Sequence, residues 1–224
     1  MLEQVDVLDH GYVRLVDIMG DDLSIVRSAR VSYDADWREG DDKKDEKLIA
    51  YLMKNRHTSP FEAVTFTFEV KAPIFVFRQW HRHRTWSYNE ISARYSVLPD
   101  EYYVPEISQI TTQSSDNKQM RTDVICDAAH QIQEIIKGVS DHSHKMYRLL
   151  MDSECPRELA RSVLPVNTYS RMFATVDLHN LFHFLRLRLH EHAQYEIRVY
   201  AEAMLQLIEP NVPVAVREFR ATLA

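Results

Sequence analysis

Glycine is scarce in this chain. Gly11, Gly20, Gly40 and Gly138 are the whole complement of 224 residues, and no two lie close together. Backbone cradles for phosphate need clustered glycines, so a dinucleotide fingerprint and a P-loop are both excluded. Cysteine is scarcer still. Cys126 and Cys155 are too few for a disulfide framework and lack metal-type spacing, which favours a reducing, cytoplasmic setting. No apolar run approaches the ~20 residues that span a bilayer, and no signal-peptide pattern opens the sequence. Excess positive charge is missing as well. A formal charge of -6 and a pI near 6.0 argue against general affinity for nucleic-acid backbones. The remainder, 45% hydrophobic and 27% charged, is ordinary for a folded chain and bounds it to one large domain or two small ones.

Against this acidic background, residues 78–95 gather Arg78, Arg82, Arg84 and Arg94 with His81 and His83, opposed by Glu90 alone. Trp80, Trp86, Tyr88 and Tyr95 are interleaved with them. Guanidinium forks take phosphate bidentately and aromatic faces stack on bases, so a nucleotide suits the mixture. The ordinary reading is a solvated helix face paired with surplus acids, but four large aromatic side chains are costly to expose. Two further readings stay open: a single-stranded RNA binder built on the same interleaving, and a metal-dependent nucleotide hydrolase using the later histidines.

Pattern also predicts elements. Tyr12–Met19 and Val64–Val70 read as strands, the latter with Val64, Phe66, Phe68 and Val70 on one face. Asp22 can cap a helix to about Arg30, and Asp34–Glu46 is dense enough in charge for a solvated loop before a short helix. Ser59-Pro60-Phe61-Glu62 reads as a capping box. A helix over Ile74–His83 would put Arg78 and Arg82 on one face. Residues 96–118 read as loop, about Met120–Met151 as a long helix, and Pro156–Pro165 as a short one. Asp177 reads as the N-cap of a helix bearing Leu178, Leu181, Phe182, Leu185 and Leu189, which continues or restarts through Ile208. No repeat or linker interrupts the chain. Strands followed by long helices predict an α+β fold.

Arg82-His83-Arg84, seven residues, then Ser92 resembles the signature of the flavin-dependent thymidylate synthases. Its flanks do too: Arg78-Gln79-Trp80, Tyr88-Asn89-Glu90 and Arg94-Tyr95-Ser96. So do Ala29-Arg30-Val31-Ser32, His57-Thr58-Ser59-Pro60-Phe61-Glu62, Pro156-Arg157-Glu158 with Arg161-Ser162-Val163-Leu164-Pro165, and Leu187-Arg188 with His192-Ala193-Gln194. These blocks keep the family's order from about residue 10 to 200.

The resemblance implies methylation of dUMP to dTMP. Carbon would come from methylenetetrahydrofolate and electrons from NADPH through FAD, with no cysteine nucleophile. It implies one domain over residues 1–224, with a central mixed or antiparallel sheet flanked by long helices, assembled as a homotetramer with active sites shared between subunits. For dUMP it implies Gln79, Trp80, His81, Arg82, Glu90, Ile91, Ser92, Ala93, Arg94, Arg161 and Arg188. For FAD it implies Ser59, Arg82, His83, Arg84, Glu90, Asp177, His179 and His183. His57 and Tyr95 would stack on a pterin or flavin ring.

The residues themselves suit those roles. Arg188 is the catalytic candidate, because C5 of uracil is a weak nucleophile unless a cation stabilises charge gathering on the ring. Its ordinary reading is a surface cation beside Glu191. Ser92 has no assignable base and so reads as a phosphate ligand, not a nucleophile. Cys155, at an apparent helix start, reads as a small inert thiol. Asp177 stands where asparagine is frequent, leaving its carboxylate to a ribose hydroxyl or a helix cap. His179 and His183 share a helical face, but Asn-Leu-Phe lies between them and no third ligand is evident, so no metal is expected. His190 and His192 would diverge on a helix.

Overall fold

The computed structural model describes residues 3–32 and 42–223. The chain begins with the antiparallel hairpin β1 (Gln4–Val7) and β2 (Gly11–Met19), followed by α1 (Asp22–Val31) and α2 (Asp42–Lys54). β3 (Thr65–Pro73) runs directly into α3 (Ile74–Trp80), and a turn leads to β4 (Ser87–Glu90). A small hairpin, β5 (Thr111–Gln113) and β6 (Arg121–Ile125), precedes the long α4 (Ala129–Asp152) and the one-turn α5 (Arg157–Ala160). β7 (Tyr169–Asp177) then feeds α6 (Leu178–Arg188), α7 (Tyr195–Ile208) and α8 (Pro213–Ala221).

The principal sheet has the order β1-β2-β3-β7-β4, antiparallel throughout, which gives the expected α+β class. Period-two alternation along β3 buries Val64, Phe66, Phe68 and Val70 completely. Each such large side chain contributes about 1.5–3 kcal/mol by leaving water. Met172, Ala174 and Val176 of β7 continue the same face, and α1, α6, α7 and α8 cover it through Ile25, Leu181, Leu185, Tyr200, Met204 and Phe219. The opposite face is polar and partly open: Thr67 and Thr175 share a 3.0 Å hydrogen bond, and Arg14 meets Glu69 at 2.7 Å. Gly11 is fixed by crowding, since a Cβ there would fall 2.7 Å from the Val7 carbonyl and 2.9 Å from that of Lys71.

Several expectations need correction. Asp21, not Asp22, caps α1, in a box with Ser24. The Asp22 carboxylate instead accepts from the Val214 and Ala215 amides at 2.8 and 3.0 Å and so caps α8. Residues 34–41 of the expected charged loop lie outside the described residues, and from Asp42 onward the segment is helical. Ser59–Ala63 is a 3-10 turn that already includes Ser59, and Thr58 before it has helical backbone angles and makes no side-chain cap, so no capping box forms. α3 ends at Trp80, so Arg78 and Arg82 share no helical face. α4 starts at Ala129, because Thr122, Val124 and Ile125 belong to β6. Residues 169–177, with no element expected, form the strand that binds β3 to β4.

Candidate active site

The arginine-rich segment is held by its aromatics. Val76, Phe77 and Trp80 bury one face of α3, and His83 N–H closes the next turn on the Trp80 carbonyl at 2.9 Å. Trp80, expected against substrate, is fully buried. Its ring stacks on Phe184 at 4.9 Å and meets Trp86 and Tyr200 edge-on. An indole gains more from core burial than from a half-wet wall, so Trp80 supports the segment from beneath. Tyr88 Oη donates towards the carbonyls of Trp80 and His83, at 3.2 and 2.8 Å, pinning the turn to β4.

β4 ends at a cavity of about 670 Å³ that brings together His81, Glu90, Ile91, Ser92, Ala93 and Arg161, with Arg78, Ser162 and Ser170. Ser92 begins a tight turn: the Tyr95 and Ser96 amides donate to its carbonyl at 3.0 Å, and the Arg94 amide donates to its Oγ at 3.3 Å. No histidine bonds its hydroxyl, so it has no base to activate it. Glu90 accepts from Ser170 at 2.7 Å, and Arg161 Nε donates to the Glu158 carbonyl at 3.3 Å. The two remaining cations expected at the phosphate are not lining residues here. Arg94 leans on Glu158 at 3.5 Å and on the Tyr95 ring, and Arg82 is exposed beyond α3. Arg78 and Ser162 line the cavity without having been assigned to it. Both lie inside matched sequence blocks, and that proximity was the available signal.

Arg188, the last residue of α6, is not a lining residue of this cavity but is bonded to the residue that follows Arg78. Its Nε donates to His83 Nε2 at 3.1 Å and its Nη2 to the Gln79 carbonyl at 3.2 Å. No carboxylate among the described residues pairs with it; Glu191 meets His192 instead, at 3.4 Å. Burial lowers the Arg188 pKa. His83 is 8% exposed, and burial, with the neighbouring Arg188 and His183, lowers its pKa to about 4. Its ring is therefore neutral near pH 7, accepts at Nε2 and carries its proton on Nδ1.

A second cleft of about 340 Å³ gathers Arg56, His57, Thr58, His179, His183 and Arg186 over Phe61 and Phe182. Ser59 is exposed immediately beyond Thr58. The His83 and His183 rings, 6.1 Å apart, connect this cleft to Arg188. Arg82 and Arg84 are exposed, and their guanidinium groups pair with no other described residue. Asp177 caps α6, accepting from the Asn180 amide at 2.9 Å and from its side chain at 2.6 Å. His57 and Tyr95 are not brought together: Tyr95 belongs to the Ser92 turn and does not line the cleft. His190 and His192, expected to diverge on a helix, lie in the turn after α6 with ring centroids 4.7 Å apart. Among the described residues no group of three or more His, Cys, Asp or Glu is arranged to hold a metal ion. Neither cysteine lines either cavity.

This geometry has close counterparts. The family profile described as "Thymidylate synthase complementing protein" matches residues 14–214. A flavin-dependent thymidylate synthase of Gluconobacter oxydans is 48% identical over 218 residues, 96% of this chain and 71% of that one. One from Treponema denticola is 49% identical over 221 residues, 98% of this chain and 82% of that one. The crystal structure of a UMP/dUMP methylase from Streptomyces cacaoi, bound with 5-Br dUMP, superposes with a TM-score of 0.88 at 37% identity, covering 97% of each chain. With the profile spanning most of the sequence and relatives this similar along nearly all of it, the chain belongs to the flavin-dependent thymidylate synthase family.

Proposed function

We propose that the protein methylates dUMP to dTMP, taking carbon from methylenetetrahydrofolate and electrons from NADPH through FAD, without a cysteine nucleophile. One observation carries this reading: Arg188, half-buried and paired with no carboxylate among the described residues, is bonded to the backbone of Gln79, next in sequence to Arg78, which lines a cavity with Ser92 and Arg161. The three lining groups suit the dianionic phosphate of a nucleotide. The Arg188 guanidinium then stabilises negative charge on the uracil carbonyls as C5 attacks, in a half-buried site where such charge is poorly screened. His83 and the Gln79 carbonyl hold that guanidinium in one orientation.

FAD fits the second cleft. Arg82 and Arg84 offer unspent positive charge, His57, His179 and His183 offer polar and stacking faces, Phe61 and Phe182 form an apolar floor, and Ser59 stands at the edge for a phosphate. When bound, the flavin supplies the reducing electrons that complete the methyl group. NADPH has no glycine-rich loop here and so uses the open flavin face, with His57 as a stacking partner for the folate ring and Tyr95, which does not line this cleft, reaching that ring from another copy of the chain. Asp177, committed to its helix cap, contributes little to the cofactor. We also read the domain as a single unit over residues 1–224 that works in the cytoplasm as a homotetramer. Exposed Ile135, Val139 and Leu149 on α4 and Phe173 on the open sheet face support burial against other copies.

The test is tritium release from 5-labelled dUMP with methylenetetrahydrofolate, FAD and NADPH. Release is expected, and none from an intact, flavin-loaded protein would sink the proposal. Because the solved neighbour is described as acting on UMP and dUMP, 5-labelled UMP belongs in the same assay. Cys155→Ala should keep most of the activity.

A further inference from the structure

A chain of hydrogen bonds leaves Arg188 in the direction away from His83. Gln79, whose backbone carbonyl holds Arg188, donates its side-chain amide N–H to Gln194 Oε1. Gln194 in turn donates to Glu196 Oε2 at 2.7 Å. Glu196 is 3% exposed, and its two oxygens are held by Arg121 Nη2 at 3.0 Å each, with Tyr103 Oη at 3.2 Å. A glutamine amide can be reversed end for end at almost no steric cost, so its direction is set by its neighbours. An ion-paired carboxylate only accepts. Gln194 must therefore turn its NH2 to Glu196 and its oxygen to Gln79, and Gln79 must turn its own NH2 to Gln194. The one end of the Gln79 amide left over is its oxygen, which has no partner among the described residues.

We infer that Glu196, acting through Gln194, fixes the Gln79 side chain with its carbonyl oxygen facing the pyrimidine, making Glu196 and Gln194 positioning residues for base recognition. This rests on the reading of the cavity as a uridylate site. The chemistry is that of an acceptor meeting the N3–H of uracil. Cytosine presents a lone pair at N3, and two acceptors repel. A reversed Gln79 would offer a donor instead and lose the distinction. The carboxylate that sets the direction lies two amides away from the base, behind a salt bridge to the β5–β6 hairpin.

The experiment is calorimetric titration of flavin-loaded protein with dUMP and with dCMP. Gln194→Met changes an exposed position, leaves Arg121 and Glu196 paired, and should weaken dUMP binding about tenfold, the value of one lost hydrogen bond, while narrowing the dUMP-over-dCMP preference by a similar factor. Glu196→Gln, which frees Gln194 to turn over, should narrow the preference likewise. In a Gln79→Met background, adding Gln194→Met should change nothing further, which separates relay from general loosening. Wild-type preference in Gln194→Met, with flavin content retained, overturns the inference while leaving the uridylate reading intact. Failure of the unaltered protein to bind dUMP defeats that reading itself.

Discussion

Arginine is used in two ways in this molecule, and the contrast locates its chemistry better than the charge total does. Away from the arginine-rich segment, arginines meet carboxylates: Arg14 with Glu69, Arg121 with Glu196, Arg217 with Glu46 at 3.0 Å, Arg220 with Glu209 at 2.8 Å, and Arg148 with Asp100. Within residues 78–84 and at the end of α6, Arg78, Arg82, Arg84 and Arg188 have no such partner among the described residues, although the chain carries 33 acids against 27 bases. With acids in surplus, unpaired guanidinium groups concentrated along one segment are charge held back for an anion that arrives from outside.

That contrast can be broken in order of effect. Arg188→Ala should cut turnover by about two to three orders of magnitude, the usual loss when a donor to developing charge is removed, while the flavin absorbance of the purified variant persists. A variant that loses its colour as well would place Arg188 among structural residues. Arg121→Ala should do the reverse. Thermal or urea unfolding should show a loss of about 2–3 kcal/mol from stranding Glu196, below the full figure for a buried pair because the Arg121 side chain is 32% exposed. Arg82→Ala should weaken flavin binding roughly tenfold and leave the melting temperature alone, since no protein partner is lost.

His83 sharpens the comparison through pH. Its folded pKa of about 4 lies below the ordinary 6.5, so the unfolded chain takes up the proton first as pH falls. This site's contribution to stability is therefore intact above about pH 6.5 and drains away towards pH 4. Proton NMR of the imidazole should find that low titration, moved upward in Arg188→Ala, where a neighbouring positive charge is gone. An unmoved titration would mean that Arg188 does not face this ring. Smallest of all, Arg217→Ala at the exposed surface should leave both activity and unfolding unchanged.

Legibility in the sequence followed the range of the forces involved. β3 was readable because its period of two is complete within seven residues, and the helix from Leu178 was readable because Asp177 caps it locally. The site segment stood out through its cation density and the aromatic side chains interleaved with it. β7 escaped notice because exposed Phe173 puts a large apolar group on the open face and blurs the alternation of Met172, Ala174 and Val176. β4 is four residues long with only Tyr88 half-buried, too little pattern to detect. Trp80 was placed at the substrate by resemblance, and a stacking indole and a core indole look alike in sequence. Nothing in the sequence singled out Glu196, since its burial depends on Arg121, distant in sequence and reached only through tertiary folding.

The pairing of β3 with β7 has a consequence for how the protein is made. Thr65 lies opposite Asp177, and the strand that leads to Ser92 is bonded to β7 alone. During synthesis the first half of the nascent polypeptide must therefore wait for about a hundred further residues before its central strand is capped along both edges. Until then the ribosome-tethered intermediate carries a sticky, unzipped margin beside a half-built nucleotide pocket, and a premature stop anywhere before β7 would leave a fragment prone to aggregate rather than a weakened enzyme.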